Sequence, residues 1–269
     1  MSKDKPLQLA VAGVAGRMGR RIVALAWADE RFDVVAALEQ SGHSTVGADA
    51  GELAGIGRKG LPVQDHTETP LDVLVDFSLP VGTEHWVDYC LVKRHAIVTG
   101  VTGLDAEQQA AVAQAARQIP IVQAANMSVG VNVLLRLVAD AASVLDLDYD
   151  VEITETHHRF KADAPSGTAN ALLAAVCRGR DVAPEEVVVH GRCGKTGLRP
   201  VGQIGMHALR LGDTVGEHTV HFGSLGETIT LGHTAHTRDT FVSGALRAAA
   251  WIVGRPAGLY SMGDVLFGS

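Results

Sequence analysis

Residues 7–19 read Leu-Gln-Leu-Ala-Val-Ala-Gly-Val-Ala-Gly-Arg-Met-Gly, an apolar run followed by a glycine-rich turn. The apolar run predicts a buried strand, and apolar residues at helical spacing over 18–27 predict a helix directly after the turn. Glycines at such a junction let the backbone approach a pyrophosphate, which the helix N-terminus can bind. Glu39 follows the next predicted strand, 32–38, where an acidic side chain accepts hydrogen bonds from a ribose. We therefore predict a dinucleotide site; the alternative is a tight turn without a ligand.

Strands and helices alternate as far as Asn126. Strands are predicted at 73–77, 96–99 and 121–124, and helices at 83–93 and 105–118. This alternation is typical of parallel βαβ units, which right-handed crossovers wind into a Rossmann-like doubly wound parallel sheet of the α/β class. Ligands of such sheets bind at the carboxyl ends of the strands. The loops at 100–103 and 124–127 are therefore candidates for the site, with ordinary connections as the alternative.

The pattern changes after Asn126 and predicts a second, α+β domain. Expected there are a helix at 129–145, a strand at 150–157, a helix at 166–178 and several strands between 187 and 236. The last region is rich in glycine and threonine, and we expect a mixed, largely antiparallel sheet. The final helix, 240–253, and the tail are expected to return to the first domain. The predicted boundaries are 1–128 for dinucleotide binding, 129–239 for substrate binding and oligomerisation, and 240–269 for the returning segment.

Composition excludes several classes of function. The formal net charge of −7 argues against a nucleic-acid partner, which needs a basic surface. No stretch approaches the roughly 20 apolar residues of a membrane span, and the apolar run near the N-terminus is too short for a signal peptide. The three cysteines are isolated, which is typical of reduced thiols in a cytoplasm. We expect a cytoplasmic protein without nucleic-acid or membrane partners.

The densest polar cluster is Glu155-Thr-His-His-Arg-Phe-Lys-Ala-Asp-Ala-Pro-Ser-Gly-Thr168. Its two histidines, arginine and lysine are hard to bury, and residues 165–168 are shaped as a helix start. A helix N-terminus beside cationic side chains binds carboxylates, and His and Lys can deliver protons near neutral pH. The alternative is a solvated basic loop. We expect no metal, because adjacent histidines point in different directions and no further ligand lies at suitable spacing.

These motifs resemble the dihydrodipicolinate reductases, also called 4-hydroxy-tetrahydrodipicolinate reductases, of the bacterial and plant lysine pathway. The resemblance covers nearly the whole chain, and the cluster at 155–168 is its most specific part. The matching segments are residues 11–19, 49–55, 124–132, 155–168 and 212–219.

The resemblance implies that NAD(P)H delivers a hydride to C4 of a cyclic unsaturated imine dicarboxylate, giving tetrahydrodipicolinate in lysine and diaminopimelate biosynthesis. It implies that His157 and Lys161 form the acid–base pair and that His158, Gly167 and Thr168 hold the substrate carboxylates. It also implies a homotetramer built through the sheet of the second domain. The implied cofactor-binding residues are Gly13, Val14, Ala15, Gly16, Arg17, Met18, Glu39, Gly100, Val101, Thr102, Ala124, Ala125, Asn126 and Met127.

The chain departs from the family pattern at three positions. Gln40 and Leu79 stand where the family often has arginines, and Val101 stands where it often has threonine. A carboxylate at Glu39 repels a 2′-phosphate unless a nearby arginine pairs with it. The first two departures therefore predict a preference for NADH, with NADPH still possible because Arg17 can reach the phosphate.

Two other functions compete with this interpretation. Another two-domain NAD(P)-dependent dehydrogenase, acting on an aldehyde or imino acid, explains the first half of the chain equally well but gives no reason for the 155–168 cluster. A non-catalytic dinucleotide sensor would bind NADH without turnover.

Overall fold

The structure, a computed structural model, describes residues 5–268. Of these, residues 5–129 and 239–268 form one compact unit, here called the N-terminal unit. Residues Gly130–Arg238 form the other, here called the inserted unit. No helix within the described part of the chain is long and apolar enough to cross a membrane.

The N-terminal unit is built around a seven-stranded parallel sheet. Its strands are β1 Leu7–Ala12, β2 Phe32–Leu38, β3 Val63–Gln64, β4 Val73–Asp76, β5 Ala96–Thr99, β6 Pro120–Gln123 and β12 Gly258–Tyr260. Its helices are α1 Arg17–Trp27, α2 Ala50–Leu53, α3 Pro80–Lys93, α4 Ala106–Ala115, α8 Asp239–Ile252 and α9 Met262–Phe267. The strand order β12-β6-β5-β4-β1-β2-β3 reverses between β1 and β4, which confirms the predicted doubly wound sheet.

Helices cover both faces of this sheet because successive strand residues point to opposite sides. Leu9 and Val11 pack with α1 and α8, whereas Ala10 and Ala12 pack with α3 and α4. Both faces are therefore apolar, as expected for a parallel sheet buried on each side. The short strands β3 and β12 were not predicted. β12 pairs with β6 and so joins the tail of the chain to the sheet edge.

The inserted unit contains the second sheet, with two helices packed on one face. Its strands are β7 Asp150–His157, β8 Val188–His190, β9 Ile204–Arg210, β10 Gly216–Gly223 and β11 Thr228–Ala235. Its helices are α5 Val129–Val144, α6 Gly167–Arg180 and α7 Pro184–Val187. The order is β11-β10-β7-β9-β8; β10 is antiparallel to its two neighbours, whereas β9 is parallel to both of its own. The sheet is mixed, as predicted. Its antiparallel pairings are the two that β10 makes with β11 and β7.

The glycine turn between β1 and α1 brings two backbones into close contact. Gly13 has φ +78°, a left-handed conformation that glycine adopts without strain. A Cβ at Gly19 would lie 2.1 Å from the Gly13 carbonyl oxygen, so no larger residue fits there. The packing of α1 against the end of β1 therefore depends on glycine at both positions.

We predict that Gly19→Ala destabilises the N-terminal unit by about 1–3 kcal/mol, because its methyl group would overpack rigid backbone. All three tryptophans, Trp27, Trp86 and Trp251, lie in this unit, so the midpoint of urea unfolding followed by tryptophan fluorescence measures the effect. Gly226→Ala is the control, because a Cβ there meets no atom within 4 Å. An unchanged midpoint for Gly19→Ala would show that the turn relaxes without cost.

Candidate active site

The N-terminal unit has a pocket of about 540 Å³ at the carboxyl edge of its sheet. The pocket lies beside β1 and β4, where the strand order reverses, which is where open α/β sheets bind ligands. Four residues of the predicted cofactor set line it: Gly13, Ala15, Gly16 and Glu39. The other lining residues are Gln40, Ser41, His43, Asp65, Phe77, Ser78, Leu79, Val81, Gly82, His85 and Trp86.

Glu39 is held against the glycine turn. Its Oε2 accepts a hydrogen bond from the Ala15 backbone N–H at 2.9 Å, and its Oε1 accepts one from the Gln40 N–H at 3.0 Å. The carboxylate is thus fixed on the pocket wall where the motif predicts ribose recognition.

A second acidic side chain, Asp65, lines the same pocket. Strand β3 pairs with β2 so that Leu38 lies opposite Gln64, and Glu39 and Asp65 are the next residues of the two strands. Hydrogen bonds from His66 and Ser41 lower the pKa of Asp65, which favours its charged form. Asp65 could not be predicted from the sequence, because the two-residue strand before it has no apolar period.

The remaining residues predicted to bind the cofactor follow strands β1, β5 and β6 at this edge. Val14 is buried in the core under the turn, Arg17 is exposed at the start of α1, and Met18 is partly buried. Residues 100–102 follow β5 and residues 124–127 follow β6. They share the sheet edge with the pocket, but they are not among its lining residues.

A buried carboxylate, Asp76, orders the loops around the pocket. It ends β4 with no exposed surface and accepts hydrogen bonds from the Ser78 N–H and Oγ, from Thr83 Oγ1 at 2.7 Å and from Thr99 Oγ1 at 3.2 Å. Burial raises the pKa of Asp76 in spite of these donors. Because Ser78 lines the pocket and Thr99 ends β5, this one side chain links two loops of the candidate site.

The inserted unit places Glu155 and His157 on the core side of β7. Glu155 is completely buried, at a position where alternation with Val151 and Ile153 would call for an apolar residue. Its Oε2 lies 2.5 Å from His157 Nδ1, and its two oxygens pair with the Arg210 guanidinium at 3.0 Å each. Burial raises the pKa of Glu155, but hydrogen bonds from Arg210 and His157 outweigh it and leave the pKa below its ordinary value.

His218, on the neighbouring strand β10, is in contact with the His157 ring. Strand pairing puts it next to Glu155, its ring packs edge-on against His157 with the centroids 5.1 Å apart, and its Nε2 is 3.2 Å from Ser166 Oγ. Burial, with the nearby His157, lowers the pKa of His218 to about 4. The place of His218 beside His157 could not be predicted from the sequence, because it depends on the register of β10 against β7.

The other predicted residues lie in the segment between β7 and α6. Lys161 Nζ forms an ion pair with Asp163 at 2.9 Å. His158 Nδ1 is buried and has no hydrogen-bond partner among the described residues. Gly167 and Thr168 are the first two residues of α6, whose N-cap is Ser166, with its hydroxyl accepting from the Ala169 N–H. The predicted helix start is therefore confirmed.

The described residues contain no group of three or more side chains placed to hold a metal ion. The candidate sites are a glycine-turn pocket in one unit and a cluster of Glu155, His157, Arg210 and His218 in the other. Together with the doubly wound sheet, these features define a two-domain NAD(P)H-dependent oxidoreductase.

Comparison with known proteins identifies the family. Residues 7–127 match "Dihydrodipicolinate reductase, N-terminus" and residues 130–266 match "Dihydrodipicolinate reductase, C-terminus". A 4-hydroxy-tetrahydrodipicolinate reductase from Psychrobacter arcticus is 45% identical over 265 residues, covering 97% of this chain and 95% of the relative. The chain belongs to the dihydrodipicolinate reductase family, as the sequence motifs predicted.

Solved structures show the same fold. A dipicolinate-bound dihydrodipicolinate reductase from Paenisporosarcina sp. TG-14 has a TM-score of 0.76 and 24% identity, covering 96% of this chain and 98% of its own. An amine dehydrogenase from Mycobacterium smegmatis has a TM-score of 0.60 and 15% identity, covering 96% of each chain. The fold is thus shared with oxidoreductases of other names.

His218 generates a prediction about acid stability. Because its pKa is lowered from 6.5 to about 4 in the folded protein, the unfolded chain binds a proton first as the pH falls. This contribution to stability is present at pH 7 and is lost between about pH 6.5 and 4. His218→Gln removes it, so the free energy of unfolding should fall less between pH 7 and 5 than in the wild type, by about 2 kcal/mol.

Urea unfolding followed by far-ultraviolet circular dichroism at the two pH values measures this difference. His190→Gln is the control, because His190 is exposed. An equal loss of stability in wild type and His218→Gln would contradict the assignment of acid sensitivity to this side chain.

Proposed function

We propose that the chain reduces the dihydrodipicolinate that forms from 4-hydroxy-tetrahydrodipicolinate to tetrahydrodipicolinate, in lysine and diaminopimelate biosynthesis. The observation that supports this most strongly is the 45% identity, over nearly the full length, to a 4-hydroxy-tetrahydrodipicolinate reductase. The cluster of His157, Lys161 and the α6 N-terminus supplies chemistry that such a substrate needs.

The two units are proposed to divide the task, with the predicted domains 1–128 and 129–239 as cofactor and substrate domains and 240–269 completing the first. The pocket of the N-terminal unit suits a dinucleotide, because Gly13 and Gly16 of the glycine turn line it and Glu39 is fixed on its wall. The bound reduced nicotinamide would supply the hydride. The residues proposed to hold it are those at 13–18, 39, 100–102 and 124–127.

The substrate's two carboxylates are proposed to bind at His158, Gly167 and Thr168. The first turn of α6 offers backbone N–H groups and the positive end of the helix dipole, which favour an anion. The buried Nδ1 of His158, which has no partner among the described residues, is a polar atom that a ligand can satisfy. Open space around Gly167 leaves the helix start accessible to a carboxylate.

His157 and Lys161 are proposed to supply the proton that balances the hydride. The Glu155 carboxylate accepts from His157 Nδ1, which leaves Nε2 for proton exchange with a ligand. Lys161 Nζ offers three N–H donors beside a site for a dianion. General acid catalysis by a positioned side chain contributes about 10²- to 10⁴-fold in rate.

We predict that Lys161→Ala lowers turnover by about 10²- to 10⁴-fold, because a positioned proton donor is lost. The assay mixes protein, NADH and enzymatically generated substrate, and follows the absorbance of the reduced nicotinamide. The dissociation constant for NADH should be unchanged. Lys195→Ala, an exposed lysine of the same unit, is the control and should keep wild-type turnover.

The same assay decides between the competing functions. A wild-type protein that binds NADH and leaves this substrate unreduced would contradict the proposal and favour a sensor or a different dehydrogenase. Near-normal turnover in Lys161→Ala would contradict only the acid–base assignment.

We propose that NADH is the preferred cofactor and that NADPH is used less well. Glu39 and Asp65 put two carboxylates on the pocket wall, and both repel a 2′-phosphate. Gln40 and Leu79 also line the pocket, and neither has a charge that could pair with the phosphate. Arg17 is the nearby cation that could weaken the preference.

We predict that Gln40→Arg improves kcat/KM for NADPH by roughly tenfold or more, since one hydrogen bond to a charged group contributes ~1.5–3 kcal/mol. Adding Asp65→Asn should raise it further by removing the second carboxylate. Gln114→Arg, on the exposed side of α4, is the control for added charge. Steady-state kinetics with both cofactors measures the effect, and a wild type that favours NADPH would refute the preference.

We propose that the protein is a homotetramer assembled through the sheet of the inserted unit. Its helices pack on one face of that sheet. On the other face Thr154, His207 and Thr219 are partly exposed and Thr230 is exposed. A second copy of the same sheet is the proposed occupant. Analytical ultracentrifugation would measure the mass.

We propose a cytoplasmic location, because the chain has free thiols and no paired cysteines among the described residues. Cys90 and Cys177 are buried and Cys193 is exposed. An exposed unpaired thiol is stable in a reducing compartment.

A further inference from the structure

We propose that Glu155 and Arg210 act together as positioning residues for both members of the acid–base pair. Glu155 would hold the His157 ring in one tautomer, and Arg210 would hold Glu155 together with the loop that contains Lys161. This inference rests on the roles proposed above for His157 and Lys161.

Glu155 uses both carboxylate oxygens. Oε2 accepts from His157 Nδ1 at 2.5 Å and from Arg210 Nη1 at 3.0 Å, while Oε1 accepts from Arg210 Nη2 at 3.0 Å and from the Ser166 N–H at 3.1 Å. A buried carboxylate is costly unless its partners compensate for the lost water. Here the partners are His157, the cap residue of α6 and one arginine, so the acid connects three parts of the candidate site.

The hydrogen bond to Glu155 determines which nitrogen of His157 bears the proton. A carboxylate accepts but does not donate, so Nδ1 must hold the hydrogen and Nε2 is the nitrogen left for the substrate. The ring is confined from two further sides. His218 packs edge-on against it, and a Cβ at Gly216 would lie 3.1 Å from its Nε2.

Arg210 extends this support to Lys161. Its Nε donates to the Lys161 carbonyl at 3.3 Å, and its Nη2 donates to the Asp163 carbonyl at 2.5 Å. One guanidinium thus binds Glu155 in bidentate fashion and also ties down the backbone on both sides of residue 162. A lysine at this position would keep the charge but could not make these divergent contacts.

An alternative is that the Glu155–Arg210 pair only stabilises the fold. The same strand offers a comparison, because Glu152 points to the opposite face of β7. It pairs with Arg192 at 2.8 Å, with Arg199 at 3.2 Å and with His207 Nε2 at 2.6 Å. Glu152→Gln therefore disturbs a similar Arg–Glu–His cluster away from the proposed acid–base pair and is the matched control.

The test is Glu155→Gln. An amide keeps only one of the two acceptor oxygens. With that oxygen turned toward Arg210 Nη2 and the Ser166 N–H, the amide N–H faces His157 Nδ1, which must then accept and carry its proton on Nε2. Long-range ¹H–¹⁵N correlation spectra of the ¹⁵N-labelled protein should show the Nδ1–H tautomer of His157 in the wild type and the Nε2–H tautomer in the variant. Turnover should fall about 10- to 100-fold, as for other groups that orient a functional histidine. Glu152→Gln should keep the His157 tautomer.

Arg210→Lys is a second variant, for use if Glu155→Gln does not fold. It keeps a positive charge beside the buried Glu155 carboxylate. Its turnover should fall at least tenfold, with an unchanged dissociation constant for NADH. Wild-type turnover in either folded variant, or an unchanged His157 tautomer in Glu155→Gln, would overturn the inference. The spectra need no substrate, so they test the tautomer even if the wild type proves inactive in the reductase assay.

Discussion

The N-terminal unit depends on a backbone contact that only glycine permits. The Gly13 carbonyl lies against the Cα of Gly19, and this proximity lets α1 start directly above the end of β1. Because α1 is anchored there, its buried face reaches the same core cluster as α8, and both helices cover one side of the sheet. The pocket and the carboxylate of Glu39, fixed by the Ala15 N–H, both follow from that approach.

Each unit also contains a buried carboxylate on a central strand. Asp76 in β4 and Glu155 in β7 are both fully buried, and each is surrounded by donors from more than one loop. They differ in their partners. Asp76 has hydroxyl and backbone donors, and burial raises its pKa, whereas the guanidinium of Arg210 helps to keep the pKa of Glu155 low. The Asp76 network therefore orders loops, whereas the Glu155 carboxylate accepts from a histidine and so also orients its ring.

Much of the architecture could be predicted because the long elements repeat their apolar period. Strands β2, β5 and β7 have the predicted bounds, and the glycine turn and the start of α6 lie where their motifs place them. Short strands could not be predicted: β3 and β12 are strands because β2 and β6 offer them an edge. Asp65, His218 and Arg210 were missed for a related reason. Their positions depend on the register between strands that are distant in sequence, which no local pattern contains.

The strand β12 has a consequence for how the chain is made. It pairs with β6, although the whole inserted unit separates the two in sequence. During synthesis from the N-terminus, residues 130–238 are therefore complete before α8 and β12 exist. The inserted unit can fold while the surrounding one still lacks a helix of its core and the cover for one sheet edge. Until β12 has been made, β6 presents an open edge, and such an edge can pair with the strand of another chain.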